Sequence, residues 1–322
     1  MFALSLNAEN ITKIFGSGTN AFSVEFVEIG EPGNSPDLSG LPIPAGSVGY
    51  TYYIGKYEIS RESIDKANNE GLLGLSMMTT GDNSAKKPAG GLSWYEAAKF
   101  INWLNVSTGH SAAYKFDNDG NFQLWSPTDN GYDVSNQYRN KNAIYVLPSA
   151  DEWYKAAYGS PNGDWFNYPT GSDIAPTAVN GGTNSNTAVY NGSVIADIDN
   201  AGGLSAYGTM AQGGNLREMI ETAWDKGNNS PNENRTVRGG PWYNPLNNLD
   251  SSNQFFLDPT SKENRNGFRV VIVQSSSSGN ITNNFAVIMQ KSNDLNSWVD
   301  ISTNSFTDTN TKTFFRLKIK QQ

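Results

Sequence analysis

The stretch "KPAGGLSWYEAAKFINWLN", Lys87 to Asn105, carries the strongest local signal in the chain. Ser93 stands where its hydroxyl can accept from the first helical turn. Glu96, three residues on, can reach back to the Ser93 backbone, which makes a reciprocal capping box. Trp94, Ala97, Ala98, Ile101 and Leu104 then fall on one face of a helical repeat. The same device returns in "YVLPSADEWYKAAYG" (Tyr145–Gly159), with Ser149 as cap, Glu152 as its partner and Gly159 as the stop. Two short, well-capped helices are therefore expected, each after a strand-like lead-in.

Working outward, "AFSVEFVEIG" (Ala21–Gly30) alternates like a strand, and "VGYTYYIGKYEIS" (Val48–Ser60) is rich in β-forming aromatics. "SRESIDKANNEG" reads as a helix closing at Gly71. "YKFDNDGNFQLW" (Tyr114–Trp125) places aromatics on either side of a turn and predicts a hairpin. Asp117 and Asp119 hint at a calcium loop there, but Thr128 stands where an EF-hand needs an acidic residue. From Asn162 to Gly208 the chain is almost all turn-forming residues, and so long a loop needs a tether, by a metal or by dense packing.

With 322 residues there is room for one domain of roughly 200 to 280 residues and something small beside it. Its 32 glycines and recurrent asparagine favour turns over long helices. A net charge of −8 leaves no basic patch for phosphates, so nucleic acid is a poor partner and calcium a more natural one. No apolar run is long enough to span a membrane. The chain has no cysteine and a single histidine, His110, which excludes disulfides, thiolate nucleophiles and the usual zinc sites, and leaves a Ser-His-Asp triad only if His110 serves it.

The chain is expected to divide into four parts. Residues 1–8, "MFALSLNA", read as the tail of a secretory signal cut after Ala8, with a first strand as the alternative. Residues 9–273 form the main domain. Residues 274–280, "QSSSSGN", read as a linker, and 281–322 as a small β-rich module suited to packing on a neighbour or to self-assembly.

Six blocks taken in order carry a family resemblance: "IGKYEIS", "KPAGGLSWYEAAKFINWLN", "YVLPSADEWYKAAYG", "GTMAQGGNLREMIETAWD", "RTVRGGPWYN" and "NGFRVV". Together they resemble the signature of the formylglycine-generating enzyme (sulfatase-modifying factor) family, from about Phe22 to Val273. The resemblance implies an α+β fold, irregular and loop-rich, related to the C-type lectin fold, with structural calcium. In "GNLREM" it places the carbonyls of Gly214 and Leu216 and the carboxylate of Glu218 at that ion, with Thr209 as an upstream ligand.

The family's oxidative chemistry does not carry over. Its copper is held by two cysteines beyond the paired glycines, and Asn244 and Leu249 stand at those positions. Pro241 replaces the serine after the glycines, and Arg217 and Met219 replace two tryptophans. One histidine cannot build the iron site of related non-haem enzymes, and Asp250, Asp258 and Glu263 lack a histidine or lysine partner for hydrolysis.

What remains is a recognition surface: Trp242, Tyr243, Asn244, Asn247, Asn248, Asp250, Asn253 and Phe255 combine aromatic area with short hydrogen-bonding side chains. A protein or a carbohydrate would suit it. Variable proteins of diversity-generating retroelements show a similar segment between "RGG" and "GFR" blocks. The expectation is an exported, calcium-stabilised, non-catalytic binding or surface-structural protein, able to form homo-oligomers through its tail. The alternatives are an enzyme of the formylglycine-generating or non-haem iron superfamily with unrecognised chemistry, or a retroelement-diversified ligand-binding protein.

Overall fold

The computed structural model describes residues 10–273 and the backbone of three strands beyond them. In chain order come β1 (Ile11–Phe15), β2 (Phe22–Ile29), β3 (Tyr52–Gly55), α1 (Arg61–Gly71) and α2 (Trp94–Ser107). Next are β4 (Lys115–Phe116), β5 (Phe122–Gln123), β6 (Tyr145–Val146), α3 (Ala150–Tyr158), β7 (Thr177–Ala178) and β8 (Thr187–Ala188). β9 (Arg217–Ala223), β10 (Arg235–Arg238), β11 (Phe255–Leu257), β12 (Asn266–Gly267) and β13 (Val271–Val273) complete the first unit. The chain divides at Ser276, and β14 (Phe285–Ser292), β15 (Val299–Ile301) and β16 (Phe314–Gln321) form a second unit, an antiparallel sheet in the order β15-β14-β16. The expected signal remnant at 1–8 and linker at 274–280 lie outside the described residues.

Both capping boxes form as the sequence dictates. Ser93 and Ser149 each accept from the backbone N–H of their glutamate, and Glu96 and Glu152 accept from the cap N–H in return. Each such cap is worth about 1 kcal/mol and fixes where the helix begins. α1 closes where the sequence places its end. Helical residues run to Gly71, and the left-handed cap residue is Leu72, at φ 50°. β1 has no counterpart in the sequence expectation, because only Phe15 of its five residues is buried and no alternation marks it; pairing with β2 makes it a strand.

Two sheets organise the domain. One runs β1-β2-β3-β13-β6, and the other β11-β10-β9-β12. Helix α2 packs its stripe into the main core, where Trp94 is wholly buried and its Nε1 donates to the Ile220 carbonyl at 2.9 Å. The long loop is tethered by packing. β7 and β8 pair within it, Gly182 donates to the Asn200 carbonyl, and Val189, Ala196 and Ala201 form a satellite core with Met210 and Ala211.

Buried charge does the remaining fastening. Arg139 lies between Glu152 and Glu221, donating to the first at 3.0 Å and to the second at 2.9 Å. Burial alone would raise the Glu152 carboxyl, but Arg139 overrides it and holds the group below its ordinary value. Four wholly buried tyrosines also donate to acceptors on distant segments: Tyr52 to the Glu152 carbonyl, Tyr114 to Glu221, Tyr138 to Glu233 and Tyr154 to Asp37.

The two sheets meet at Arg269. Its Nε donates to Glu218 Oε2 at 2.7 Å, and its Nη2 to Glu218 Oε1 and to the Met210 carbonyl. Nη1 donates to the Gly55 and Lys56 carbonyls at 2.8 and 3.3 Å. One guanidinium thus joins β9, the end of β3 and the loop before β9, with both partners of the ion pair fully buried. Glu58 lies beside this pair, accepting from Leu216 N–H at 2.9 Å and Asn215 Nδ2 at 2.6 Å. Burial, and then repulsion from Glu218, push the Glu58 carboxyl well above the usual range.

Two outcomes follow from this arrangement. Arg269→Met strands the Glu218 carboxylate and should cost about 3–5 kcal/mol in urea unfolding, with part of the loss recovered when Glu218→Gln is added. Burial raises the hydroxyl pKa of Tyr52, Tyr114, Tyr138 and Tyr154. Unfolded tyrosines ionise near about pH 10 while these stay protonated, so the folded state then holds more protons. Their contribution is intact below about pH 10 and is lost above it, which a falling urea midpoint across the alkaline range would record.

Candidate functional site

The segment after β10 begins with a clamp. Arg238 is wholly buried against the rings of Trp153, Tyr154 and Tyr158, and its Nη2 donates to the Ser251 carbonyl at 2.9 Å. The guanidinium therefore ties the start of the segment to a point thirteen residues on. Gly239 and Gly240 follow with φ 93° and 68°. A side chain at Gly239 would meet the Gln212 carbonyl at 2.4 Å, and one at Gly240 would meet Asn248 Cβ at 2.6 Å. Only glycine suits both positions.

Beyond the glycines the chain is pinned from below. Trp242 N–H donates to the Asn215 carbonyl at 2.9 Å, and its own carbonyl accepts from Gly192 at 2.8 Å. The carbonyl of Asn244 accepts from Asn191 at 2.9 Å. The half-buried Trp242 ring packs on the satellite core of Val189, Ala196 and Met210. Tyr243 stands edge-on to it, with centroids 5.0 Å apart, and is 43% exposed.

The eight expected surface residues divide. Tyr243 and Asn247 are exposed, while Trp242, Asn244, Asp250, Asn253 and Phe255 are half-buried. Asn248 is a correction: it is buried beneath the paired glycines and belongs to the frame. Asp250 Oδ1 accepts from Ser252 N–H and Oγ at 2.8 and 2.6 Å, and Asn253 Nδ2 donates to the Asn247 carbonyl at 2.8 Å. Much of the segment's polar capacity thus holds its own turns.

Sequence reasoning missed what stands beside Tyr243. Arg265 donates through Nη1 to the Tyr243 hydroxyl at 3.1 Å and through Nε to Glu263. Arg217 donates through Nη2 to the same Glu263 oxygen at 3.1 Å and through Nε to Asn266 Oδ1 at 2.9 Å, with Phe255 facing its guanidinium at 5.5 Å. The signal was present in Arg217, which occupies a tryptophan position of the resemblance. The exposed pair Trp224 and Phe256, with centroids 5.3 Å apart on the β9-to-β11 side, was also missed.

Two of the acidic residues here, Asp258 and Glu263, are held in their ionised form. Hydrogen bonds from Thr260 lower the Asp258 carboxyl, and Arg265 lowers that of Glu263. Carboxylates held down in this way are weak proton acceptors. Leu249 is fully buried and offers only its carbonyl, which accepts from the Tyr158 hydroxyl at 3.1 Å. His110 lies exposed just past α2, at the helix end.

Two of the four residues expected at calcium have their side chains engaged within the protein. Both oxygens of Glu218 are taken, by Arg269 and by Trp153 Nε1 at 2.6 Å. The Thr209 hydroxyl is engaged with Ser205 and Gln212. Calcium asks for six to eight oxygens with open lone pairs, and here the positive charge already belongs to a guanidinium. Among the described residues no group of three or more acidic, histidine or cysteine side chains could hold a metal.

A cleft of about 510 Å³ opens elsewhere, between β2 and α1. Lys66 pairs with Glu62 at 2.6 Å and Lys86 with Asp199 at 2.7 Å within its lining, while Glu25 pairs with Lys56 outside it and Glu58 lines it from beside the buried ion pair.

Comparison with solved structures finds the same fold at low identity. The matches include Treponema denticola variable protein 1 (18% identity, 81% of this chain and 99% of that one, TM-score 0.55). CarF matches at 17% identity over 78% of this chain and 98% of its own, with a TM-score of 0.58. PvdO from Pseudomonas aeruginosa matches at 16% over 81% and 98%, with a TM-score of 0.52. No curated protein matches the chain. The model of the sulfatase-modifying factor enzyme 1-like domain matches residues 41–274, and the chain belongs to that family.

Proposed function

We propose that this protein is a non-catalytic, exported binding member of its family, and that the surface from Trp242 to Phe256 with Arg265 is its ligand face. The observation that carries this reading is the fate of the family's copper positions. They are Asn244 and the buried Leu249, in a chain without cysteine, while the same segment holds Tyr243 and Asn247 out to solvent on a pinned backbone. Rigid aromatics and short polar side chains on a fixed frame supply contact area at low entropic cost. A fold relative is itself named a variable protein, which supports a binding role for this architecture. The C-terminal sheet, β15-β14-β16, would serve attachment or self-assembly through its outer strands.

Peptide and glycan arrays probed with the full chain test the proposal. Tyr243→Ala combined with Asn247→Ala should reduce the strongest signal by about tenfold or more without lowering the melting temperature, since both side chains are exposed. A cysteine-containing sulfatase peptide incubated with the copper-treated protein should keep its thiol by mass spectrometry. Conversion of that cysteine to formylglycine would overturn the non-catalytic reading.

A further inference from the structure

We propose that Arg217 and Arg265 form a carboxylate-reading subsite of this face, taking an aspartate or glutamate side chain from a protein partner. The inference rests on the binding reading above and names the chemistry of the ligand. Its basis is an uneven account of charge and hydrogen bonds. Two guanidiniums share one carboxylate, that of Glu263, at side-chain exposures of 8% for Arg217 and 37% for Arg265. The side chain of Arg217 is thus more than nine-tenths buried, yet its Nη1 has no partner among the described residues. Nη2 of Arg265 likewise has none, while its Nη1 reaches the Tyr243 hydroxyl at 3.1 Å.

A guanidinium lodged this deeply keeps its charge, and burial followed by the nearby Arg265 charge makes that state less favourable than usual. A second carboxylate would balance the pair and fill the open donors in the planar, two-point geometry that arginine matches best. The chain as a whole is acidic, with a net charge of −8, so a polyanion would be repelled and a single carboxylate on a neutral segment suits the site better. A protein partner is favoured over an acidic glycan by the rings on hand. Trp242 is packed into the satellite core and meets Tyr243 edge-on at 88°, and the exposed Trp224 and Phe256 rings are tilted at 53° to one another, so neither pair makes a flat platform for a sugar. Tyrosine beside arginine is instead the composition of a protein-binding hot spot.

Fluorescence anisotropy with the full chain tests this, using heptapeptides of tyrosine and serine that carry a central glutamate, glutamine or phosphoserine, and a hexuronate oligosaccharide. The glutamate peptide should bind about tenfold more tightly than its glutamine counterpart. Arg265→Gln should remove that preference. Glu263→Gln, which releases both guanidiniums to the ligand, should tighten glutamate binding, an effect opposite to the one expected if Glu263 merely held the fold. Equal affinity for glutamate and glutamine, or weaker binding by Glu263→Gln at unchanged melting temperature, would overturn the subsite. So would a preference for phosphoserine or hexuronate. Neutral peptides that bind and are lost with Tyr243→Ala would leave the ligand face standing while the carboxylate subsite fails.

Discussion

The fold turns on the fully buried pair of Glu218 and Arg269. Desolvating two charges costs several kcal/mol each, and such a pair is tolerable only when every donor is used. Here the guanidinium completes its set with the Gly55, Lys56 and Met210 carbonyls, and Glu218 takes Trp153 Nε1 as a further donor. Because those partners come from β3, the loop before β9 and α3, the pair registers the two sheets and one helix at a single point. The proposed ligand face depends on that registration, since Asn215, three residues from Glu218, carries the carbonyl on which Trp242 hangs.

A second buried arginine extends the frame outward. Arg238 holds Ser251 and lies over three rings of α3, so the segment between them closes as a loop of fixed size. The glycines after it are forced by close approach to Gln212 and Asn248. In relatives this region is where the resemblance places catalytic copper. In this chain it is a rigid support beneath exposed Tyr243 and Asn247.

The legible parts of the sequence were those whose chemistry is local. Ser93 with Glu96 and Ser149 with Glu152 lie three residues apart, so each helix start could be read directly and each box forms. The family order of blocks supplied the irregular fold that periodicity could not. Long-range pairing was not legible: Glu218 and Arg269 are 51 residues apart, and nothing in "GNLREM" distinguishes a calcium carboxylate from the partner of an arginine. Asparagine misled in the same way at Asn248, because a type that suits a surface also suits a buried turn. β1 escaped notice because its exposed residues carry no period.

The central claim is that the Arg269 guanidinium supplies the positive charge that holds Glu218. Thermal unfolding of the full chain in excess chelator and in millimolar calcium tests it most directly. The account predicts superimposable transitions, since Arg269 is covalently part of the chain and cannot be removed by chelation. A melting temperature lowered by chelator and restored by calcium would contradict it.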